Sequence, residues 1–442
     1  MNPVRLRRAA AFVAVAVAAL LPHLAEAGAL CNTAQIPYNL WQLKPSNQTT
    51  GTYKYTCGST QSQHLYGSVT DLQNGTVLLT GGQIGNSYAG RIDYTEYDPT
   101  NVAELFDVIA GEFAKITVSD ETIANNLTGP PYVTAGGMKY PRGTHAAIRL
   151  PNRKVLIVGG VHEHACYSQP GNCAAYHAEL YNPITHLFET PAGDLLTPRY
   201  SNEDPSAVIG SYLHSQLTFT ATLLADGRVL IAGVADAGFP SAEIFDPATN
   251  RFTQTGAVVN QRIGAAAALL PSGKVIVAGG AVNYAASDSA ELYDPITGTF
   301  SAAPQMTAPR IDATATLLAN GKVLFASGNS AELYDAGANT FTAAGTPVVP
   351  IQRPAVLLSS GKVLFPAASQ IYDPLTDRFS KVADLLAANA GGTTALRGVS
   401  ATLLQNGQVL VVGGGANGMH GEFGGSTYNT IPEHPPGQLY QP

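Results

Sequence analysis

Residues 314–325 have the sequence TATLLANGKVLF, in which two short apolar runs lie on either side of Asn320-Gly321. An Asn-Gly pair between two such runs is the strongest short-range indication of a β-hairpin. Both runs are apolar at successive positions rather than at alternate ones, so both faces of each strand must be covered. The stretch therefore predicts a hairpin that packs between two other sheets.

The hairpin recurs along the chain, and this repetition decides the fold. The copies are TATLLADGRVLI from Thr220, AAALLPSGKVIV from Ala266, AVLLSSGKVLF from Ala355 and SATLLQNGQVLVV from Ser400, with weaker copies AAIRLPNRKVLIV from Ala146 and SVTDLQNGTVLL from Ser68. Most hairpins are followed by a second unit, such as AELYDPITGTF at residues 290–300, whose Asp-Pro pair favours a turn. Each repeat thus predicts four antiparallel strands, a to d. Seven repeats predict an all-β, seven-bladed β-propeller of four-stranded blades.

The seventh repeat is divided between the two ends of the chain. Residues 438–442 (QLYQP) align with residues 291–295 (ELYDP), but no strand d follows them. Residues 50–53 (TGTY) align with residues 297–300 (TGTF) of the fourth repeat. We therefore expect an N-terminal strand to be the outer strand of the last blade, which would close the ring and remove its open edges.

A pair of glycines ends strand b in four repeats, and strands c and d each carry an aromatic residue. The pairs are Gly81-Gly82, Gly159-Gly160, Gly279-Gly280 and Gly413-Gly414. This pattern resembles the kelch repeat, in the form found in bacterial exported proteins and in galactose-oxidase-like propellers. The resemblance covers nearly the whole mature chain. It does not extend to the copper-radical site of the oxidases, because Arg397-Gly398 stands where their Tyr-His pair precedes a late strand a.

The N-terminus predicts export. Three arginines within residues 5–8 precede an almost wholly apolar run at residues 9–25, and Ala25-Glu26-Ala27 fits a cleavage site. We predict a signal peptide at residues 1–27, an N-terminal strap at 28–48 and the propeller at 49–442, in a secreted or periplasmic protein. A retained membrane anchor is the less favoured alternative.

The charge and hydropathy of the chain argue against some classes of binding partner. The net charge of −7 disfavours nucleic acid and anionic membranes, and no later apolar stretch is long enough for a membrane span. We expect a monomer.

The four cysteines predict two disulfide bonds. Cys31, Cys57, Cys166 and Cys173 all follow the predicted cleavage site, and an even number of cysteines in an oxidising compartment favours pairing. Three connectivities are possible. We favour Cys31–Cys57 and Cys166–Cys173, because each pair lies within one local segment; a thiolate metal site is the alternative.

The connections between strands differ greatly in length, and this predicts where a ligand binds. Connections from b to c and from d to the next a emerge on the same face, and the long ones belong to blades seven, one and two, which are neighbours in a closed ring. Long loops on a rigid scaffold commonly carry function. We predict a ligand site lined by His162, His164, Tyr176, His420 and Tyr428, with Arg142 and Arg397 at its floor.

Two further sets of residues are candidates on this face. Counting back eight residues from the last leucine of strand a gives His64, Arg142, Gln216, Arg262 and Arg310. These side chains would surround the channel mouth, where they either bind loop carbonyls or form a positive rim for a carboxylate or phosphate. The glutamates before strand c recur in most copies and are interpreted as scaffold. His162 and His164, with His177 or Glu163, are weak metal candidates, and we predict no cofactor.

Three functional classes remain. The favoured one is a non-catalytic recognition propeller that binds an extracytoplasmic glycan, peptide or protein. The alternative is a carbohydrate-active enzyme, epimerase- or lyase-like, that uses arginine and histidine at the channel mouth. The third is a purely structural adhesion module. The fold alone does not choose among them.

Overall fold

The computed structural model describes residues 52–59, 67–88, 91–99, 101–116, 137–160, 177–191, 193–198, 219–234, 241–283, 285–382, 397–415 and 436–442. The predicted signal peptide and strap lie outside these residues, as do Cys31, Cys166 and Cys173. Both disulfide bonds therefore remain predictions.

Seven four-stranded antiparallel sheets are present among the described residues, as the repeats predicted. Blade one contains β2 (Ser68–Asp71), β3 (Thr76–Thr80), β6 (Ala103–Asp107) and β7 (Glu112–Lys115). Blade two contains β8 (Ala146–Arg149), β9 (Val155–Val158), β10 (Ala178–Asn182) and β11 (Leu187–Glu189). Blade three contains β12 (Phe219–Leu223), β13 (Val229–Gly233), β14 (Ala242–Asp246) and β15 (Arg251–Gln254).

The remaining blades follow the same order. Blade four contains β16 (Ala266–Leu269), β17 (Val275–Ala278), β20 (Ala290–Asp294) and β21 (Thr299–Ala303). Blade five contains β22 (Thr314–Leu317), β23 (Val323–Ser327), β24 (Ser330–Asp335) and β25 (Thr340–Ala343). Blade six contains β26 (Val356–Leu357), β27 (Val363–Phe365), β28 (Gln370–Asp373) and β29 (Arg378–Lys381). Blade seven contains β30 (Arg397–Leu403), β31 (Val409–Gly415), β32 (Pro436–Gln441) and β1 (Thr52–Ser59).

Blade seven joins the two ends of the chain. β1 pairs antiparallel with β32, with Tyr53 opposite Tyr440, and this matches the pairing of Phe300 with Tyr293 in blade four. The inner strand β30 contacts β2 of blade one, and the outer strand β1 contacts β7. The predicted ring closure is confirmed.

The hydrophobic core lies between the blades. Val77 and Leu79 of β3 pack against blade seven, whereas Leu78 of the same strand packs against blade two. All three side chains have no exposed surface. Strand b is thus covered on both faces, which explains why its apolar residues are consecutive.

Three local features depart from the regular blade. Pro366 ends strand b of blade six, and a 3-10 turn follows at Pro366–Ala368. Short extra hairpins extend the b-to-c connections of blade one (β4, Gln83–Tyr88, and β5, Arg91–Pro99) and blade four (β18, Ala281–Val282, and β19, Ala285–Ala286).

Among the described residues, no helix is long and apolar enough to cross a membrane.

Candidate functional site

One face of the ring carries the ends of strands b and d. In blade two, Gly159 follows strand b and Arg142 precedes strand a on this face, which we call the upper face. The hairpin β4–β5 extends blade one there. The other long connections of blades seven, one and two fall largely on residues 117–136, 161–176, 199–218 and 416–435, outside the described parts of the chain.

A buried Arg–Glu pair lies beneath the upper face in three blades. In blade two, Arg142 donates from Nε and Nη2 to Glu179 Oε2, at 3.1 and 2.9 Å. Its Nη1 donates to the carbonyl of Gly159 at 2.7 Å. The equivalent pairs are Arg262–Glu291 at 3.0 Å and Arg310–Glu332 at 2.6 Å. At most 2 % of any of these side chains is exposed. The arginines therefore bind strand c inside each blade, and Arg142 and Arg262 also bind the end of strand b, rather than form a positive rim.

The sixth repeat has lost both members of the pair. Ile351 occupies the arginine position, and Gln370 stands in place of the glutamate. Gln370 Oε1 accepts a hydrogen bond from Val348 N at 2.9 Å, and its Nε2 donates to Val349 O at 2.7 Å. In blades two, four, five and six, arginine therefore occurs with glutamate and isoleucine with glutamine, as expected where an unpaired buried charge is costly.

In the third repeat, the contacts of the glutamate and the count from strand a indicate different positions for the arginine. Glu243 Oε2 accepts a hydrogen bond from Leu196 N at 2.7 Å, as Glu179 accepts one from Lys139 N. Lys139 lies three residues before Arg142, and Leu196 lies three residues before Arg199. Counting back from strand a selected Gln216 instead, because an insertion separates Arg199 from that strand. Arg199 and Gln216 are both outside the described residues.

Four side chains of blade two form a second cluster at the start of strand c. The ring of His177 stacks on Tyr140, with 4.3 Å between centroids and 11° between planes. His177 Nδ1 lies 2.9 Å from Asp194 Oδ1, and Lys139 Nζ lies 4.9 Å from the Tyr140 centroid. A carboxylate on one ring nitrogen fixes the orientation and tautomer of an imidazole. The side chain of His177 is 14 % exposed, whereas Tyr140 is almost completely buried.

A third polar group lies closer to the channel, between blades one and two. His145 directly precedes the inner strand β8, and its Nε2 lies 2.9 Å from Thr80 Oγ1 at the end of strand b in blade one. His145 and Thr144 are 5 % and 8 % exposed. Ala146 of strand a and Ala178 of strand c both pair with Val158 of strand b, which lies between them. The backbones of His145 and His177, which precede these two strands, are therefore about 10 Å apart.

The residues predicted to line the ligand site have different outcomes. Arg142 is completely buried, so its guanidinium supports the upper face from below, and a ligand contact from it remains a prediction. Arg397 begins β30 and pairs with Gly415. The remaining five, His162, His164, Tyr176, His420 and Tyr428, lie outside the described residues and also remain predictions.

Two functional candidates were missed in the sequence. His177 was considered only as a metal ligand, and no group of three or more histidine, cysteine, aspartate or glutamate side chains comes together in the described regions. His145 was not considered at all. The signal was present in the alignment of repeats, because the equivalent position is not histidine in the other repeats and is alanine, Ala265 and Ala313, in two of them.

Comparison with known proteins identifies the fold and no family. No protein-family model matches the chain, and no curated protein matches it. Among solved structures, the chain is similar to a fungal alcohol oxidase of the AA5 family in complex with copper. The TM-score is 0.57, the sequence identity is 12 %, and the match covers 89 % of this chain and 77 % of that one. A likeness at this identity shows the propeller fold alone.

This comparison corrects the functional prediction. The favoured prediction was a non-catalytic recognition propeller, but this similar structure is that of an alcohol oxidase. The comparison therefore counts against the non-catalytic prediction and favours the enzymatic alternative, which is taken up below as a proposal.

Proposed function

We propose that this chain is an exported enzyme that carries out acid–base chemistry on a carbohydrate, of the epimerase or lyase type. The observation that carries the proposal is the pairing of His177 with Asp194 on the ring of Tyr140. An imidazole oriented by a carboxylate is a common general base, and a positioned base contributes about 10²–10⁴-fold to a reaction rate. The proposed compartment, secreted or periplasmic, rests on the N-terminal sequence.

The chemistry requires a base and a cation close together. In a sugar acid, the carbon next to the carboxylate is acidified when a cation neutralises that carboxylate. Lys139 supplies a positive charge beside Tyr140, against which His177 also packs. His177 would take the proton from that carbon. In an epimerase, a proton from solvent then adds to the opposite face of that carbon. In a lyase, the electron pair forms a C=C bond while the bond to the glycosidic oxygen breaks, and this oxygen takes up a proton from solvent.

Replacing His177 with alanine tests the proposal. We expect H177A to lower turnover about 10²–10⁴-fold, because the base is removed. D194N should lower it by a smaller factor, because the imidazole remains but loses the carboxylate that orients it. The measurement is the incorporation of deuterium from D₂O into polyuronates, together with the ultraviolet absorbance of unsaturated sugars.

The matched control is His186, another histidine of blade two. It lies in the turn between strands c and d, at the opposite face, where its Nδ1 is 2.8 Å from Tyr181 Oη. Blades three and five have Asn250 and Asn339 at this position, and all three residues have a positive φ. H186N should therefore keep full activity. Equal activity in H177A and H186N, or no exchange with any polyuronate, would contradict the proposed function.

A further inference from the structure

At the junction of blades one and two, the polar residues Thr80 and His145 stand where two other junctions have alanine, and Thr144 lies beside them. Thr80 and His145 meet there, whereas Ala232 meets Ala265 between blades three and four, and Ala278 meets Ala313 between blades four and five. Because these two junctions pack with alanine, the fold does not require a polar pair at this position.

The backbone of Thr144, at the same junction, has an unfavourable conformation. Its φ is +46°, and the equivalent positions are Gly264, at +68°, and Asp312, at +56°. A β-branched residue rarely adopts positive φ, whereas glycine and aspartate tolerate it well. Residues held in such conformations occur preferentially at functional sites.

The hydroxyl of Thr144 is also buried without a hydrogen bond. Within the described part of the chain, Thr144 Oγ1 has no partner. A buried hydroxyl in this state costs about 1–3 kcal/mol. Strain and an unsatisfied group thus occur in one residue, beside a buried histidine, and neither stabilises the fold.

We propose that Thr80, Thr144 and His145 form a subsite for a hydroxyl group of a neutral sugar or polyol. The hydroxyl of Thr144 and the imidazole of His145 can each donate and accept hydrogen bonds, which matches an O–H group better than a carboxylate or an ammonium. The adjacent cation Arg142 is bound to Glu179, so it does not favour an anion at the subsite. This subsite does not require His177 to be a catalytic base.

The position of the subsite agrees with ligand binding. His145 lies against the glycine pairs of both blades: a Cβ on Gly81 would lie 2.8 Å from His145 Cε1, and one on Gly160 would lie 3.2 Å from His145 Cβ. The long b-to-c connections of blades one and two begin directly after these glycines. A hydroxyl bound here would therefore lie next to the residues from which these two connections start.

The test compares three variants of the purified protein with ¹⁵N-labelled histidine. T144V removes the hydroxyl but keeps the branched shape, T144S keeps the hydroxyl, and T80A/H145A copies the Ala278–Ala313 junction. The probes are methyl glycosides of glucose, galactose and mannose, and erythritol. We expect at least one probe to shift the His145 ring signals, which are assigned by their absence in T80A/H145A.

The proposal predicts that T144V and T80A/H145A lose binding without losing stability. T144V and T80A/H145A should bind that probe at least about tenfold more weakly, while T144S binds it as the parent does. The melting temperatures of T144V and T80A/H145A should not fall, because the first removes an unsatisfied hydroxyl and the second removes a polar pair that alanine replaces at other junctions. If no probe shifts His145, or if T144V lowers the melting temperature without changing binding, the group holds only a structural water and the proposal is wrong. These results do not depend on turnover, so they are distinct from the test of His177.

Discussion

Replacing Arg142 with isoleucine should lower the free energy of unfolding by about 3–5 kcal/mol, because Glu179 then remains buried without its charge partner. Glu179 is 1 % exposed, and its charge would be compensated only by neutral donors such as the backbone N–H of Lys139. The cost of burial is visible in blade four, where desolvation lowers the pKa of Arg262 and the charge of Glu291 opposes the shift. Chemical denaturation of R142I measures the loss.

The sixth repeat supplies the matched rescue. R142I/E179Q reproduces the Ile351–Gln370 arrangement, in which a neutral amide accepts a hydrogen bond from Val348 N. We expect the double variant to regain more than half of the stability lost in R142I. E179Q alone should be destabilised, since it leaves Arg142 buried and unpaired. If R142I/E179Q is no more stable than R142I, the two positions are not coupled and the pair is not the reason that arginine and glutamate occur together.

The fold could be predicted from short-range patterns because its turns are chemically specific. Gly321 has a φ of +81° and Gly273 a φ of +82°, and the hairpin turns they occupy need this conformation, which an L-residue adopts poorly. Consecutive apolar residues then showed that each strand is covered on both faces. The register of the divided blade followed from aligning Tyr53 with Phe300, because aromatic residues of strands c and d pair in each complete blade.

Site prediction was less successful, because it depends on contacts between distant segments. Arg142 and Glu179 were interpreted separately, the first as a rim residue and the second as scaffold, and no local pattern shows that they form one buried pair. His145 escaped notice because its burial and its contact with Thr80 involve a neighbouring blade and leave no local sequence pattern. The most informative signal was the comparison of equivalent positions, in which histidine replaces alanine.

Removing residues 1–59 should prevent formation of a stable monomer. The deletion takes away β1, so β32 becomes an open edge of blade seven with unpaired backbone groups. Tyr440, which is 1 % exposed, would lose the strand that lies beside it. We expect the free energy of unfolding to fall by more than about 3 kcal/mol, the cost typical of uncovering one large aromatic side chain, and we expect the product to aggregate. Light scattering after size exclusion measures the aggregation.

Removing residues 1–50 is the control for this deletion, because it discards the predicted signal peptide and strap but keeps β1. Both deletions remove Cys31, so the predicted Cys31–Cys57 disulfide is absent from both and cannot explain a difference between them. The shorter deletion should remain monomeric, since the pairs Thr52 with Gln441 and Lys54 with Leu439 are retained. A protein without residues 1–59 that stays monomeric and melts at the same temperature would show that β1 does not hold the ring closed. In that case the inner contact of β30 with β2 would be sufficient for closure.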